Sequence, residues 1–338
     1  MIRTVRAQAG MVAEFPEFVA SRWMRGGHRM TLASLLPRKH RGAGAALERR
    51  LVRVDAETQV VAVYQSAPGA TATILFVHGL TGCSESAYMI GAASNALAVG
   101  LHTVRLNIRN CGGTEHLTPT LYRANLTADI EAVARALRAE GHGSIVVVGW
   151  SLGGNMALRL AAELGEQDDD LIAGIVTVSP AIDLPRCANA IDAPGSWFYR
   201  RYFLRELRRK MRRKASLFPG RFDVARLRGI ETMREFDDRF TAPDGGYVSA
   251  ADYYSRASAL PVLESIRIPV CILASRDDPL VPFTSFDDPR VQDHPHIRLV
   301  ATDHGGHCGF FAAKRGLDAS RWWAEHRVVD AARWILAG

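Results

Sequence analysis

Residues 149–154 read Gly149-Trp150-Ser151-Leu152-Gly153-Gly154, and what flanks them decides the fold. Upstream, Ile145 to Val148 is an unbroken β-branched run with the composition of a buried strand. Downstream, Met156-Ala157-Leu158-Arg159-Leu160 is a run of helix formers. A G-x-S-x-G element between a strand and a helix reads as a nucleophile elbow. Its turn is so tight that the positions two before and two after the serine tolerate almost no side chain, and the hydroxyl is lifted clear of the backbone. The helix N-terminus beside it offers free N–H groups and positive dipole, which favour negative charge developing next to Ser151. Without the strand and the helix, the same residues would describe only a flexible turn.

Working outward, short β-rich runs recur at Thr73 to Val77, His102 to Asn107, Ser144 to Val148, Ala173 to Ser179, Val270 to Ala274 and Ile297 to Ala301. Leu51 to Val54 and Val60 to Gln65 read as an antiparallel pair that opens the series. Between the strands, Tyr88 to Ala98, Ala124 to Ala139 and Asn155 to Leu164 carry apolar residues at helical spacing and read as crossover helices. Strands alternating with helices predict an α/β fold, a mostly parallel eight-stranded sheet covered by helices on both faces. The connection from Leu184 to Pro261 far exceeds the usual loop of about 4 to 6 residues, so it is expected to hold its own helices and lie over the sheet as a lid. The division that follows is a leader over 1–50 packed along the surface, a core of 51–183 and 262–338, and a lid of 184–261. The first fifty residues show no clear strand.

The chain has 338 residues, 48% of them hydrophobic, enough for one large core. No stretch approaches the roughly 18 uninterrupted apolar residues of a membrane span, and Met1 to Gly10 lacks the apolar segment of a secretory signal, so a cytoplasmic location is expected. Five scattered cysteines, with no C-x-x-C pair, argue against a disulfide framework or a structural metal. The formal net charge of +7 is uneven. Arg200 to Lys214 gathers nine basic residues that are expected to face water or an anionic partner. Phe203, Leu204, Leu207 and Met211 share one side of that stretch, a pattern that suits a solvated lid helix and equally an amphipathic contact with anionic membrane. No nucleic-acid-binding motif accompanies the charge.

A nucleophilic serine needs a base, and the base needs a carboxylate to fix its tautomer. Downstream the chain supplies Asp277-Asp278-Pro279-Leu280-Val281-Pro282 after one strand and His304-Gly305-Gly306-His307 after the next, the order Ser, Asp, His. Asp278 fits a D-x-x-V-P turn, whereas Asp277 lies nearer the strand end. His307 follows a flexible Gly305-Gly306 and precedes Phe310 and Phe311, which can anchor the next helix, while His304 reads as structural. Cys308 has no elbow of its own and reads as a small packing residue. For the oxyanion of a tetrahedral intermediate, two backbone N–H donors worth about 3 kcal/mol each are expected, Leu152 after the serine and Leu80 in the loop His78-Gly79-Leu80-Thr81-Gly82. His78 is expected to brace that loop. Arg109 to Thr114 lacks the phosphate-loop pattern and reads as a second bracing loop.

Together, the leader Met24-Arg25-Gly26-Gly27-His28, the loops His78 to Ser84 and Arg109 to Thr114, the elbow Gly149 to Asn155, Glu235-Phe236-Asp237-Asp238, Tyr253-Tyr254, Asp277-Asp278-Pro279 and His304 to Phe310 resemble the YheT-like branch of the α/β-hydrolases. That branch includes bacterial hydrolases and eukaryotic acylglycerol lipases and phospholipases. The resemblance implies a carboxylesterase or lipase using Ser151, Asp278 and His307 without metal or cofactor, acting on a small-molecule ester or lipid. Asn110 stands where the family often has glycine, and Cys83 varies the loop beside the oxyanion donors. Two other functions fit the same residues: an alcohol acyltransferase, because an alcohol can replace water in releasing the acyl group, and a ligand receptor without catalysis, a role usually accompanied by a broken triad.

Overall fold

The computed structural model describes residues 15–38, 46–314, 316 and 318–338. The expectation about Met1 to Gly10 lies outside the described residues. A short helix α1 (Gly27–Ala33) precedes the antiparallel strands β1 (Glu48–Arg53) and β2 (Gln59–Gln65). Then come β3 (Ala72–Val77), α2 (Ala87–Ala98), β4 (His102–Asn107), α3 (Thr127–Ala139), β5 (Ser144–Trp150), α4 (Leu152–Gln167) and β6 (Gly174–Val178). The long connection holds α5 (Leu184–Asp192), α6 (Trp197–Leu217), α7 (Met233–Phe236), a π-helical turn (Asp237–Thr241), α8 (Ala242–Asp244) and α9 (Ala250–Ala257). The chain ends with β7 (Val270–Ser275), α10 (Pro289–Gln292), β8 (Ile297–Thr302) and α11 (Trp323–Leu336).

The eight strands form one sheet in the order β1-β2-β4-β3-β5-β6-β7-β8, parallel from β4 to β8. Side chains alternate across it. Ile74, Phe76, Val146 and Val148 are buried with α2 and α11, and Leu75, Val77, Ile145 and Val147 with α3 and α4, so helices cover both faces. From β3 the chain moves outward to β4 and then returns across β3 to β5. The loops after β3 and β5 therefore part at a switch in strand order, where the carboxyl ends of an open parallel sheet leave a crevice.

Three boundaries differ from the sequence reading for physical reasons. β1 starts at Glu48, inside the segment read as strandless leader, because Glu48 to Arg53 pair with Gln59 to Tyr64. α3 starts at Thr127 rather than Ala124, whose N–H donates to Tyr253 Oη at 2.7 Å and whose carbonyl accepts from Asn155 Nδ2 at 2.9 Å. Those bonds take Ala124 out of the helical ladder. α4 begins three residues before Asn155, since Leu152 already has helical geometry in the elbow.

The leader is tied to the body by a buried ion pair. Arg38 Nε lies 2.7 Å from Glu325 Oε1 of α11, with side chains only 3% and 5% exposed. The guanidinium also sits 3.5 Å from the Trp322 ring centroid. Burial pushes the Glu325 carboxyl up to about 7 despite the Arg38 charge. Arg38→Met is therefore expected to strand a buried carboxylate and to lower unfolding free energy at pH 8 by about 3 kcal/mol. Urea denaturation reads the loss, and adding Glu325→Gln should restore much of it. A change below about 0.5 kcal/mol, the range of ordinary surface substitutions, would show that water relieves the pair.

Candidate active site

Ser151 lies between β5 and α4 at φ 52° and ψ −118°, a conformation that L side chains rarely adopt. Three bonds hold it: its N–H donates to Val178 O at 2.9 Å, and its carbonyl accepts from the Asn155 and Ala181 amides, both at 3.1 Å. The flanking glycines are sterically required. A Cβ on Gly149 would stand 2.5 Å from Gly153 O, and one on Gly153 would stand 2.5 Å from His78 O. Asn155, fully buried, gives its amide to Ala124 O and Ala257 O and accepts from Ala259 N, which fixes the start of α4 to the end of the long insertion.

The loops after β7 and β8 bring the second aspartate and the second histidine to this bend. His307 Nε2 is 2.9 Å from Ser151 Oγ, and His307 Nδ1 is 2.9 Å from Asp278 Oδ2. Asp278 Oδ1 accepts from the Leu280 and Val281 amides at 2.8 and 2.9 Å, the bonds that make its turn. With Nδ1–H donating to the carboxylate, Nε2 is left to accept the serine proton. Burial alone would push the His307 imidazolium down, but the Asp278 carboxylate outweighs it and holds the ring well above the ordinary value of 6.5. Asp277 serves the loop instead. It accepts from Gly306 N at 2.8 Å and lies 3.1 Å from His304 Nδ1, so the first members of each pair form a separate bond beside the second.

Sequence reasoning missed the leader's part in this loop. The His307 amide donates to Thr31 Oγ1 at 2.8 Å, and that hydroxyl donates to Gly27 O at 2.7 Å. Met30 is fully buried beneath the turn, and a Cβ on Gly306 would stand 2.4 Å from Gly27 O. Residues 27–31 thus pack against the histidine loop, with Met30 and Thr31 buried and Trp23, Leu32 and Leu35 exposed. Only Gly26-Gly27 hinted at such close packing. Cys308, buried at φ 61°, packs toward Val178 O and makes no bond to Ser151.

The two loops on the other side are braced by buried hydrogen bonds. His78 is buried, donates from Nδ1 to Gly79 O at 2.8 Å and accepts from Ile108 N at Nε2, and burial pushes its imidazolium down to about 4. It is a neutral brace. Gly79 N donates to Tyr88 Oη at 3.1 Å, while Leu80 and Leu152 line the same cavity as Ser151. Leu152 is the first residue of α4, so its N–H has no acceptor within the helix. Arg109 is buried against Asp129, its Nε 2.9 Å from Oδ1. Asn110 takes φ 65° and anchors its amide on Thr120 O at 2.8 Å, a left-handed position that asparagine tolerates where glycine is otherwise expected.

The cavity over Ser151 and His307 has a free volume of about 130 Å³ and is lined mostly by apolar groups of the long insertion, among them Leu184, Phe203, Met233 and Phe236. One expectation for α6 fails here. Arg201, Arg205, Arg209, Arg212 and Arg213 do face water, but Lys214 is 1% exposed and Lys210 also lines the cavity. Lys214 turns inward because the carbonyls of Glu115 and Thr118 accept its protons.

Residues 72–313 match the family model described as the alpha/beta hydrolase fold. The chain belongs to that family. This α/β-hydrolase is 34% identical over 261 residues to the "Putative esterase YheT" of Escherichia coli (strain K12), covering 76% of this chain and 75% of that protein, which sets it in the YheT-like branch. It is 31% identical over 240 residues to "Phospholipase ABHD3" of Mus musculus, covering 70% of this chain and 58% of the relative, so it spans little more than half of that protein. Among solved structures, the Pyrococcus furiosus esterase Pf2001 superposes with TM-score 0.57 at 16% identity, over 89% of this chain and 100% of that one, a likeness of fold.

The two aspartates are expected to separate by pH profile. Asp278→Asn should cut kcat/KM by about 10⁴-fold and move the acid limb down, because the hydrolase's imidazole loses the charge that raised it. In the unsubstituted protein activity should rise with pH through a single ionisation above 6.5, since only neutral His307 accepts a proton. Asp277→Asn should leave the position of that limb in place. If instead Asp277→Asn moves the limb and Asp278→Asn does not, the acid is Asp277.

Proposed function

We propose that this α/β-hydrolase cleaves carboxylic esters through an acyl-enzyme on Ser151, with His307 as base, Asp278 as its orienting carboxylate, and the Leu80 and Leu152 amides as oxyanion donors. The observation that carries the reading is the unbroken line Asp278–His307–Ser151, two contacts of 2.9 Å each, at an apolar cavity. Kinship with an esterase and a phospholipase supports ester hydrolysis as the reaction class.

In the proposed cycle Ser151 Oγ attacks the ester carbonyl while His307 Nε2 takes its proton. Negative charge collects on the carbonyl oxygen and is received by the two amides. His307 then returns the proton to the departing alcohol, leaving the acyl group on Ser151. Water repeats the sequence and releases the acid. Short- to medium-chain acyl esters or acylglycerol-like lipids suit the apolar lining. In this reading 184–261 is a lid over a core of 51–183 and 262–338. Among the described residues no helix is long and apolar enough to cross a membrane, and we place the activity in the cytoplasm.

A panel of p-nitrophenyl esters of increasing acyl length tests the proposal. Ser151→Ala is expected to lose at least about 10⁴-fold in kcat and all labelling by a fluorophosphonate probe. Labelling that persists in that variant would refute the assignment of the nucleophile. With alcohol in large excess the product should remain free acid. A new ester in its place would make the protein an acyltransferase.

A further inference from the structure

α6 brings two lysines to the inside of the lid. Phe203, Leu207, Lys210 and Lys214 recur at three- and four-residue spacing, share one helix face, and all line the cavity that holds Ser151 and His307. The lysines are engaged differently. Lys214 is buried, donates to the carbonyls of Glu115 and Thr118, and has its ammonium 4.3 Å from the Phe218 ring centroid, so it ties the 115–118 turn to α6. Among the described residues Lys210 makes one hydrogen bond, to Cys111 Sγ at 3.2 Å. That thiol is a weak acceptor, and burial pushes its pKa up, which keeps it neutral.

No carboxylate among the described residues forms an ion pair with Lys210. The two acids that line the same cavity have other charged or polar neighbours. Glu115 Oε2 faces Arg213 Nε at 3.3 Å, and Asp237 accepts from Tyr254 Oη at 2.6 Å. A half-buried ammonium at a mostly apolar wall, with three donors and a thiol as its protein acceptor among the described residues, can give its remaining donors to an anionic group in the cavity. Five arginines on the outer face of the same helix already serve solubility, so solubility does not explain an inward lysine.

We infer that Lys210 is an anion-binding subsite of the pocket, and that the preferred substrate is an ester bearing, besides its reacting carbonyl, a second and negatively charged oxygen group, a carboxylate or a phosphate. The inference rests on the reading of Ser151 as an ester-cleaving nucleophile and narrows its substrate class. A charged oxygen group supplies both the counter-ion and the acceptors that Lys210 lacks, and an acyl tail supplies neither. The remaining apolar wall still takes hydrocarbon, so the fitting molecule is amphiphilic.

Two matched pairs separate the sources of charge: p-nitrophenyl hexanoate against the p-nitrophenyl monoester of adipic acid for carboxylate, and monodecanoylglycerol against its glycerol phosphate counterpart for phosphate. In at least one pair the unsubstituted protein should favour the anionic member, and Lys210→Met should lower the anionic-to-neutral ratio of kcat/KM by about ten-fold, while Lys210→Arg keeps it. Binding is read separately by calorimetry in Ser151→Ala. There the phosphate-bearing lipid, or hexanoate against hexanol, should bind about ten-fold more weakly once Lys210→Met is added. Ratios unmoved by Lys210→Met in both pairs, together with no calorimetric preference for the anion, would overturn the subsite and leave the hydrolase reading standing. Failure of fluorophosphonate to label Ser151 would overturn the hydrolase reading, and the calorimetric comparison would still decide the subsite.

Discussion

A side chain held at φ 52° costs on the order of 1–3 kcal/mol, and the surroundings of Ser151 meet that cost with hydrogen bonds on both sides of the bend. Its amide is held by the end of β6, and its carbonyl by the first turn of α4 and by the chain leaving β6. The bend can therefore relax only if the centre of the sheet opens. Because β5 lies between β3 and β6, the serine inherits the rigidity of the most buried part of the molecule. The histidine has no such foundation. It sits in a glycine-bearing loop and depends on Asp278, Thr31 and the Asp277–Gly306 bond for its position.

This division of labour explains how much the sequence discloses. The elbow is legible because it needs residue types at fixed spacing: glycines whose Cβ atoms would collide at 2.5 Å, a strand before and a helix after. Parallel strands buried on both faces show as continuous apolar runs, so β3 to β8 are found within a residue or two. The contact of His307 with Asp278 rather than Asp277 also had a local signal, since the Val281 amide that completes the Asp278 turn is part of the D-x-x-V-P pattern.

What stayed hidden depends on contacts between distant segments. Thr31 carries no mark of its partner 276 residues away. The truncated start of α3 follows from bonds to Tyr253 and Asn155, which no window around Ala124 contains. The charge run of α6 misled for a related reason. Composition counts nine basic residues alike, and only the packed helix shows that Lys210 and Lys214 turn toward the cavity while five arginines turn away. Periodicity marked the apolar stripe but could not show that two lysines extend it.

The packing of residues 27–31 against the histidine loop bears on how the protein is made. Thr31 leaves the ribosome 276 residues before His307, and Ser151 leaves it 156 residues before. At synthesis rates of about 5–20 residues per second, the hydroxyl waits roughly 8 to 30 seconds for its imidazole. During that interval the half-made polypeptide holds the Ser151 hydroxyl without the imidazole that lies 2.9 Å from it in the folded protein, and the two can meet only after the last strand of the sheet has emerged.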